Sequence, residues 1–424
     1  MSGPLGDERP RDWLSRLDDF ERDRSVAIHG PAVVRAALDA LGAPDRALRV
    51  VSVAGTAGKG SVATFLAALL DFQGLRTLAY RSPHLCAWEE RFLVAQQAMD
   101  PLAVDEELEQ LRLATEAGIL PPLTRFEVET VLAASLAARE GCEVLVAEAG
   151  LGAAGDATAA FDPELALVTS IGDDHRRELG GTLKHVARAE LGIAERAQVV
   201  LLGELGEVGT AVAERVIGAR NGVVWLGRER RILERRPGVA HQSLLLDDGR
   251  ELLVPYLGRP AAQSVALAVW AADALVRRQV PADLVDTVAE RVRLPGAPWL
   301  HAGPPRAVSD LAHNPLAAAA LAETIAESFP RELTWTLVVG LTHDRDPAAF
   351  LTPLAPLSVV RVLALDVGVA SERILDVARN VWPGARCEVA ASLASGLAAE
   401  ADADPSRWVL VTGSHRVVAP LRCS

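Results

Sequence analysis

The chain has 424 residues, half of them hydrophobic, and a formal net charge of −13, so it can bury a large core in two or three domains. Such an acidic balance argues against a nucleic-acid partner, which would demand a basic footprint, and means that any anionic ligand needs a local site. Cys86, Cys142, Cys387 and Cys423 are scattered without a C-x-x-C pair or metal-ligand spacing; this argues against a disulfide framework or structural zinc and fits a reducing cytoplasm. Charged residues at 6–9 and 22–24 stand where a signal peptide would be apolar, and no apolar run reaches the roughly 18 residues that a membrane span requires. A cytoplasmic protein without a membrane partner is expected.

In chain order, short β-branched or apolar runs alternate with Ala/Leu-rich stretches, the pattern of a mostly parallel sheet covered by helices. It predicts strands over 50–54, 77–80, 144–148, 165–170 and 199–202, and helices over 61–70, 126–138 and 183–195. Between 222 and 256 shorter runs surround Asp247-Asp248-Gly249, a turn signal for a small antiparallel hairpin at the edge of the first domain. A helix over 262–277 follows, and Leu294-Pro295-Gly296-Ala297-Pro298 then breaks the pattern as a domain boundary would. Beyond it, strands over 306–309, 336–340, 359–365 and 408–412 alternate with helices again, the Ala-rich 317–322 and 393–401 among them. The expected architecture is α/β: a P-loop domain over residues 1–293 with a mostly parallel sheet and a small antiparallel edge, then a smaller Rossmann-like α/β domain over 299–424.

The stretch Val50-Val51-Ser52-Val53-Ala54-Gly55-Thr56-Ala57-Gly58-Lys59-Gly60-Ser61 runs from a buried strand into a glycine-rich turn that carries a lysine. Glycines let backbone N–H groups converge on a polyanion, Lys59 adds positive charge, and the following helix aims its positive end at the same point. An ordinary strand-to-helix turn would also use glycine, but lysine and hydroxyl in this order point to a nucleoside triphosphate held by Gly55, Thr56, Gly58, Lys59, Gly60 and Ser61. The spacing departs from the usual Walker pattern, because Gly60 separates Lys59 from Ser61.

A second group falls at the C-terminal ends of other predicted strands, where ligands gather in open α/β sheets. Glu148 closes an apolar strand and needs a partner to offset its desolvation; Ser82 follows the strand ending at Tyr80, and His175 follows the one ending at Ser170. A carboxylate, an imidazole and a hydroxyl can share a magnesium ion with phosphate oxygens and water. Taken singly, the serine and the histidine read more readily as loop residues with local hydrogen bonds.

These segments occur in an order that resembles one family. Ala54-Gly55-Thr56-Ala57-Gly58-Lys59-Gly60-Ser61, Ser82-Pro83-His84-Leu85 with Glu90-Arg91, Phe126-Glu127, Glu148-Ala149-Gly150-Leu151-Gly152, Asp156-Ala157-Thr158, Asp174-His175, Ala312-His313-Asn314-Pro315 and Asp344-Arg345-Asp346 are similar to the folylpolyglutamate synthase/dihydrofolate synthase branch of the Mur ligases, over about residues 12–420. The resemblance implies an ATP-dependent carboxylate–amine ligase that uses Mg2+. The acceptor, a pterin- or folate-like acid, becomes an acyl phosphate, and an amino acid amine, that of glutamate, displaces the phosphate. It implies that Lys59, Glu148 and His175 are catalytic, that Ser82, Glu148 and His175 hold Mg2+, and that Asp310 and His313 of the second domain contact the nucleotide. His313-Asn314-Pro315 reads equally as a helix cap with proline in the first turn. A monomer is expected.

The chain also departs from the family pattern. Ala57 stands for an asparagine, Ala154 and Ala297 for arginines and Ser264 for an asparagine near the adenine. Glu190 stands for a lysine that the family carbamylates to hold a second metal ion, and Arg81 adds a cation beside Ser82. Two further readings therefore stay open: a diverged Mur-type ligase acting on a non-folate acid, and a nucleotide-binding paralogue without catalysis.

Overall fold

The computed structural model describes residues 9–19, 28–218, 222–225, 228–343, 345–404 and 407–423. The charged stretches at 6–8 and 22–24, and Asp344, lie outside the described residues. Contact density divides the chain into two compact units, one of residues 1–171, 175–226 and 268–279, the other of residues 172–174, 227–267 and 280–424.

In the first unit, β1 (Arg49–Ala54), β2 (Thr77–Tyr80), β3 (Phe92–Val94), β4 (Gln97–Ala98), β5 (Val144–Glu148), β6 (Leu165–Ser170), β7 (Val199–Glu204) and β8 (Val223–Trp225) form one sheet in the order β4-β3-β2-β5-β1-β6-β7-β8. β2, β5, β1, β6, β7 and β8 run parallel, and β3 and β4 add an antiparallel edge. β2 and β5 are buried along their whole length, and β1 along all but its first residue. A strand covered on both faces is a continuous apolar run, which is why these were visible in sequence. The helices Lys59–Phe72 and Arg125–Arg139 pack as nearly all-buried cylinders. Thr124 caps the second of them with a reciprocal box, its hydroxyl accepting from the Glu127 amide while the Glu127 carboxylate accepts from the Thr124 amide.

In the second unit, β9 (Ile232–Arg236), β10 (Gln242–Leu246) and β11 (Glu251–Val254) form an antiparallel sheet of their own. The hairpin predicted around Asp247-Asp248-Gly249 is present, yet it clusters here and not with the first unit. The cause is long-range packing: Arg235 pairs with Glu327 at 2.5 Å, and Gly258 lies so close to Thr324 that a Cβ there would sit 2.2 Å from its hydroxyl. The remaining strands are β12 (Trp299–His301), β13 (Arg306–Ser309), β14 (Trp335–Val339), β15 (Val359–Ala364), β16 (Arg386–Val389) and β17 (Trp408–Thr412). They form a sheet in the order β12-β13-β17-β14-β15-β16, parallel except for β12. The segment at 294–298, predicted as a boundary, lies inside this unit and is held by Arg422, whose guanidinium donates to the carbonyls of Pro295 (2.7 Å) and Ala297 (3.0 Å) and stacks 4.3 Å above Trp299. The Ala-rich 317–322 and 393–401 are helical, within Pro315–Ser328 and Leu393–Ala403. No helix among the described residues is long and apolar enough to cross a membrane.

Candidate active site

The strand order β2-β5-β1-β6 sets four consecutive C-terminal strand ends side by side, the edge of an open parallel sheet where ligands bind. The loop leaving β1 is the predicted phosphate cradle. Gly58 caps the helix Lys59–Phe72 with φ 86°, and Gly55 has φ 122°, both in the region that favours glycine. The loop rests directly on the end of β6. The Thr56 amide donates to the Ser170 carbonyl at 2.9 Å and the Ala57 amide to the Ser170 hydroxyl at 3.1 Å, while the Thr169 hydroxyl donates to the Ala57 carbonyl at 2.6 Å. The amides of residues 55–57 are thus turned into the protein, and the first turn of the helix, from Lys59 through Ser61, supplies the N–H groups that no helical carbonyl can satisfy. Lys59 is half-buried, and its ammonium donates to the Gly55 carbonyl at 2.7 Å. A Cβ on Gly55 would lie 2.4 Å from the Thr169 hydroxyl and 2.9 Å from the Ser170 backbone. Gly55→Ala is therefore expected to displace the loop, weakening ADP binding at least tenfold by calorimetry and costing about 1–3 kcal/mol of stability.

Ser82 and Glu148 are brought together. The Ser82 amide donates to the Glu148 carboxylate at 3.2 Å, and Glu148 is 5 % exposed. Burial pushes its carboxyl up to about 7, against the pull of Lys59, the Ser82 amide, Arg81 and Arg91. A carboxylate this desolvated, at the lip of a phosphate cradle, suits a bound cation, because a divalent ion restores the charge stabilisation that water no longer provides. Arg81 lies alongside with its guanidinium donating to the Glu90 carbonyl at 2.9 Å and the Thr64 hydroxyl at 3.3 Å; burial holds its pKa down. The loop after Ser82 is organised by Glu90, whose carboxylate accepts from the amides of Leu85, Cys86 and Ala87 at 3.0–3.1 Å. Asp156 does the same for the loop after Glu148, accepting from Gly150, Leu151 and Thr158. Glu127, quoted above as part of a motif, is a structural anchor as well, accepting from the amides of His29 and Gly30 at 2.9 Å.

His175 lies on the loop after β6 with φ 50°, half-buried. Among the described residues no group of three or more His, Cys, Asp or Glu side chains is poised around a metal position, so a cation here would rely on Ser82, phosphate and water besides Glu148 and His175. Glu190, in the last turn of the helix Leu183–Leu191, is 5 % exposed and accepts from the Gly55 amide at 2.9 Å. Sequence reasoning singled out Glu190 as a departure but had no sign of this bond. It also missed Thr169 and Ser170, whose only signal is their position at a strand end.

In the second unit Asp310 follows β13, buried, with its carboxylate accepting from the Ala312 amide at 2.7 Å and its own amide bonded to Val411. Burial raises its pKa, with Arg422 opposing. Asn314 caps the helix Pro315–Ser328, its side-chain oxygen accepting from the Ala317 amide at 2.9 Å, so the capping reading holds. Its amide nitrogen donates to Asp174 at 2.9 Å, and Arg345 donates to the other oxygen of Asp174 at 2.8 Å. His313 is exposed; its Nδ1 lies 2.9 Å from the Leu311 carbonyl and its Nε2 3.6 Å from the Asp174 carboxylate that Asn314 and Arg345 also meet.

A cavity of about 710 Å3 lies elsewhere, at the N-terminal ends of β1, β6 and β7, lined by Arg49, Gln73, Glu164, Gln198, Leu275 and Arg277 among others. β1 separates it from the cradle by its whole length, roughly 20 Å at the rise of an extended strand, and none of the site residues reaches it.

A family profile described as "Mur ligase, glutamate ligase domain" matches residues 299–415. A probable bifunctional folylpolyglutamate synthase/dihydropteroate synthase of Haloferax volcanii is 30% identical over 95% of the chain, and the chain spans about half, 49%, of that relative's length. The dihydrofolate synthase/folylpolyglutamate synthase of Escherichia coli is 29% identical over 96% of the chain and 93% of the relative. Among solved structures, Mycobacterium tuberculosis folylpolyglutamate synthase complexed with ADP superposes with a TM-score of 0.84 at 27% identity, covering 98% of each chain. E. coli FolC in complex with DHPP and ADP superposes at 0.82 with 27% identity, covering 99% of this chain and 98% of that one.

Proposed function

We infer that this chain, which belongs to the folylpolyglutamate synthase/dihydrofolate synthase family of Mur ligases, is an ATP-dependent ligase that joins a carboxylic acid to the amine of an amino acid. The observation that carries this reading is the buried Glu148 carboxylate set against the Ser82 amide and near Lys59, at the lip of the loop Gly55–Lys59. The reaction moves the γ-phosphoryl group of ATP to a carboxylate oxygen of the acceptor and releases ADP. The amine then attacks the acyl carbon, and the adduct expels phosphate and a proton to leave the amide. Several anions meet in the first step, so the site must concentrate positive charge. Lys59 exchanges its bond to the Gly55 carbonyl for phosphate oxygens, while the N–H groups of Gly58, Lys59, Gly60 and Ser61, with the Thr56 side chain at the rim, cradle them.

Ser82, Glu148 and His175 would hold Mg2+, which would supply positive charge to the anions that meet there. Asp310 and His313 are assigned to the nucleotide. Residues 299–424 form the Mur-type C-terminal domain, a reading supported by the profile match over 299–415, and residues 1–293 the ATP-binding domain. The acceptor is a folate- or pterin-like acid and the amine is that of glutamate, as the names of the relatives suggest; the protein works as a cytoplasmic monomer.

The decisive assay supplies ATP, Mg2+ and glutamate with dihydropteroate or tetrahydrofolate in turn, following phosphate release and amide product. Amide formed with neither acid overturns the choice of acceptor. Glu148→Gln, which keeps the shape and removes the charge, is expected to lower Mg2+-dependent turnover by about 10²–10³-fold and to leave the melting temperature unchanged or raised, since no buried charge remains to be desolvated. Full turnover in that variant would remove Glu148 from the metal site.

A further inference from the structure

The Gly55 peptide is gripped from both sides. Its N–H donates to Glu190 and its C=O accepts from Lys59. The two partners differ in what ligand binding does to them. Lys59 is the loop's cation and is drawn off by phosphate, leaving the Gly55 carbonyl without its ammonium. Glu190 is an anion, repelled by phosphate, and it stays where the buried last turn of its helix puts it.

We propose that Glu190 is a positioning residue of the phosphate loop, holding the Gly55 peptide in place so that Lys59 can move to the nucleotide without dragging the loop after it. This rests on the reading of the site as a nucleotide cradle. The loop needs such an anchor. Gly55 has no side chain to pack, its φ of 122° lies in the region that favours glycine, and the next amides rest on Ser170 at the end of β6. A charge-assisted bond from a backbone N–H to a carboxylate is about twice as strong as a neutral one. Glu190 is also fixed through its neighbours: the Ala189 carbonyl accepts from the Ala154 amide at 2.9 Å, and Gly192 lets the Ala154 methyl approach so closely that a Cβ at 192 would lie 2.4 Å from it. The 152–155 turn thus backs the helix end from which Glu190 reaches the loop.

The competing role for a buried carboxylate beside a phosphate site is direct metal binding, and the two roles separate experimentally. ADP affinity is measured by calorimetry on the full chain with EDTA and again with Mg2+, for wild type, Glu190→Gln and Glu190→Ala, alongside hydrogen exchange of the 53–58 segment without nucleotide. Positioning predicts that Glu190→Gln, which retains an oxygen acceptor, binds ADP in EDTA within threefold of wild type. Glu190→Ala should bind at least tenfold more weakly, with exchange of the segment at least tenfold faster and the melting temperature little changed. The proposal is overturned if Glu190→Ala matches wild type in both measurements, or if both variants lose only the gain in affinity that Mg2+ confers, as a metal ligand would. The exchange measurement needs no nucleotide, so a failure of the ATP-binding reading would show as absent ADP binding in the wild type while the loop's dependence on Glu190 is still read.

Discussion

Lys59→Ala is expected to lower phosphate release by about 10³-fold or more, the scale on which a single cation acts on a transferring phosphoryl group. The expectation follows from how little else holds positive charge at the loop. Ala297 and Ala154 stand where arginines are expected from the family, and both present only methyl groups. Arg81 lies near Glu148, but its guanidinium is committed to the Glu90 carbonyl and the Thr64 hydroxyl. The loss should fall on kcat more than on KM for ATP, because charge builds on the γ-phosphoryl oxygens during transfer. The fold should be indifferent, since the Lys59 side chain makes one hydrogen bond, to a carbonyl of its own loop. A melting temperature within 2 °C of wild type by the scale of single-site effects, with single-turnover transfer suppressed, is the result sought. Retention of more than a tenth of wild-type turnover would mean that another cation serves the phosphates.

The largest effect on stability is expected at Arg91. Its guanidinium donates to Glu129 at 2.7 Å with both side chains at 2 % exposure or less, and its Nε meets His84 at 3.1 Å. Glu129 also accepts from Trp88 at 2.8 Å and Arg125 at 3.1 Å, so one buried carboxylate ties together the loop after β2 and the start of the helix Arg125–Arg139. Arg91→Ala leaves that carboxylate short of a partner inside the core, at a cost of about 3–5 kcal/mol. Chemical denaturation followed by far-UV circular dichroism should show a clearly lower midpoint. Arg91→Met combined with Glu129→Gln should cost less than the two single changes added together, because the double variant buries no orphaned charge. Strict additivity would mean that the pair is not coupled.

How much of this was legible beforehand follows from what each residue does. β2, β5 and β6 fall where the apolar runs predict, because strands covered on both faces leave unbroken signatures. β9, with the sequence ILERR and mostly exposed, leaves none, and β12 is three half-exposed or exposed residues at the edge of its sheet. The three-stranded sheet clusters with residues 280–424 because its partners, Thr324 and Glu327, come about 70 or more residues later and nothing local announces them. The site divides in the same way. Lys59, Ser82 and Glu148 stand out as candidates because each follows or ends a recognisable strand. Ser170 and Glu190 meet the loop across 113 and 135 residues of sequence, and a glutamate late in a helix reads as surface charge until its partner is seen.

The inward turn of the amides at 55–57 has one more consequence. In the proposed nucleotide site, what remains of the cradle, a lysine and the first amides of a helix, would meet phosphate oxygens and be blind to the base. Its contribution is the same for adenine, guanine or bare tripolyphosphate, so preference among nucleotides must be written by side chains outside the loop. A variant that changes the base this protein accepts should therefore leave the whole of Gly55–Ser61 untouched.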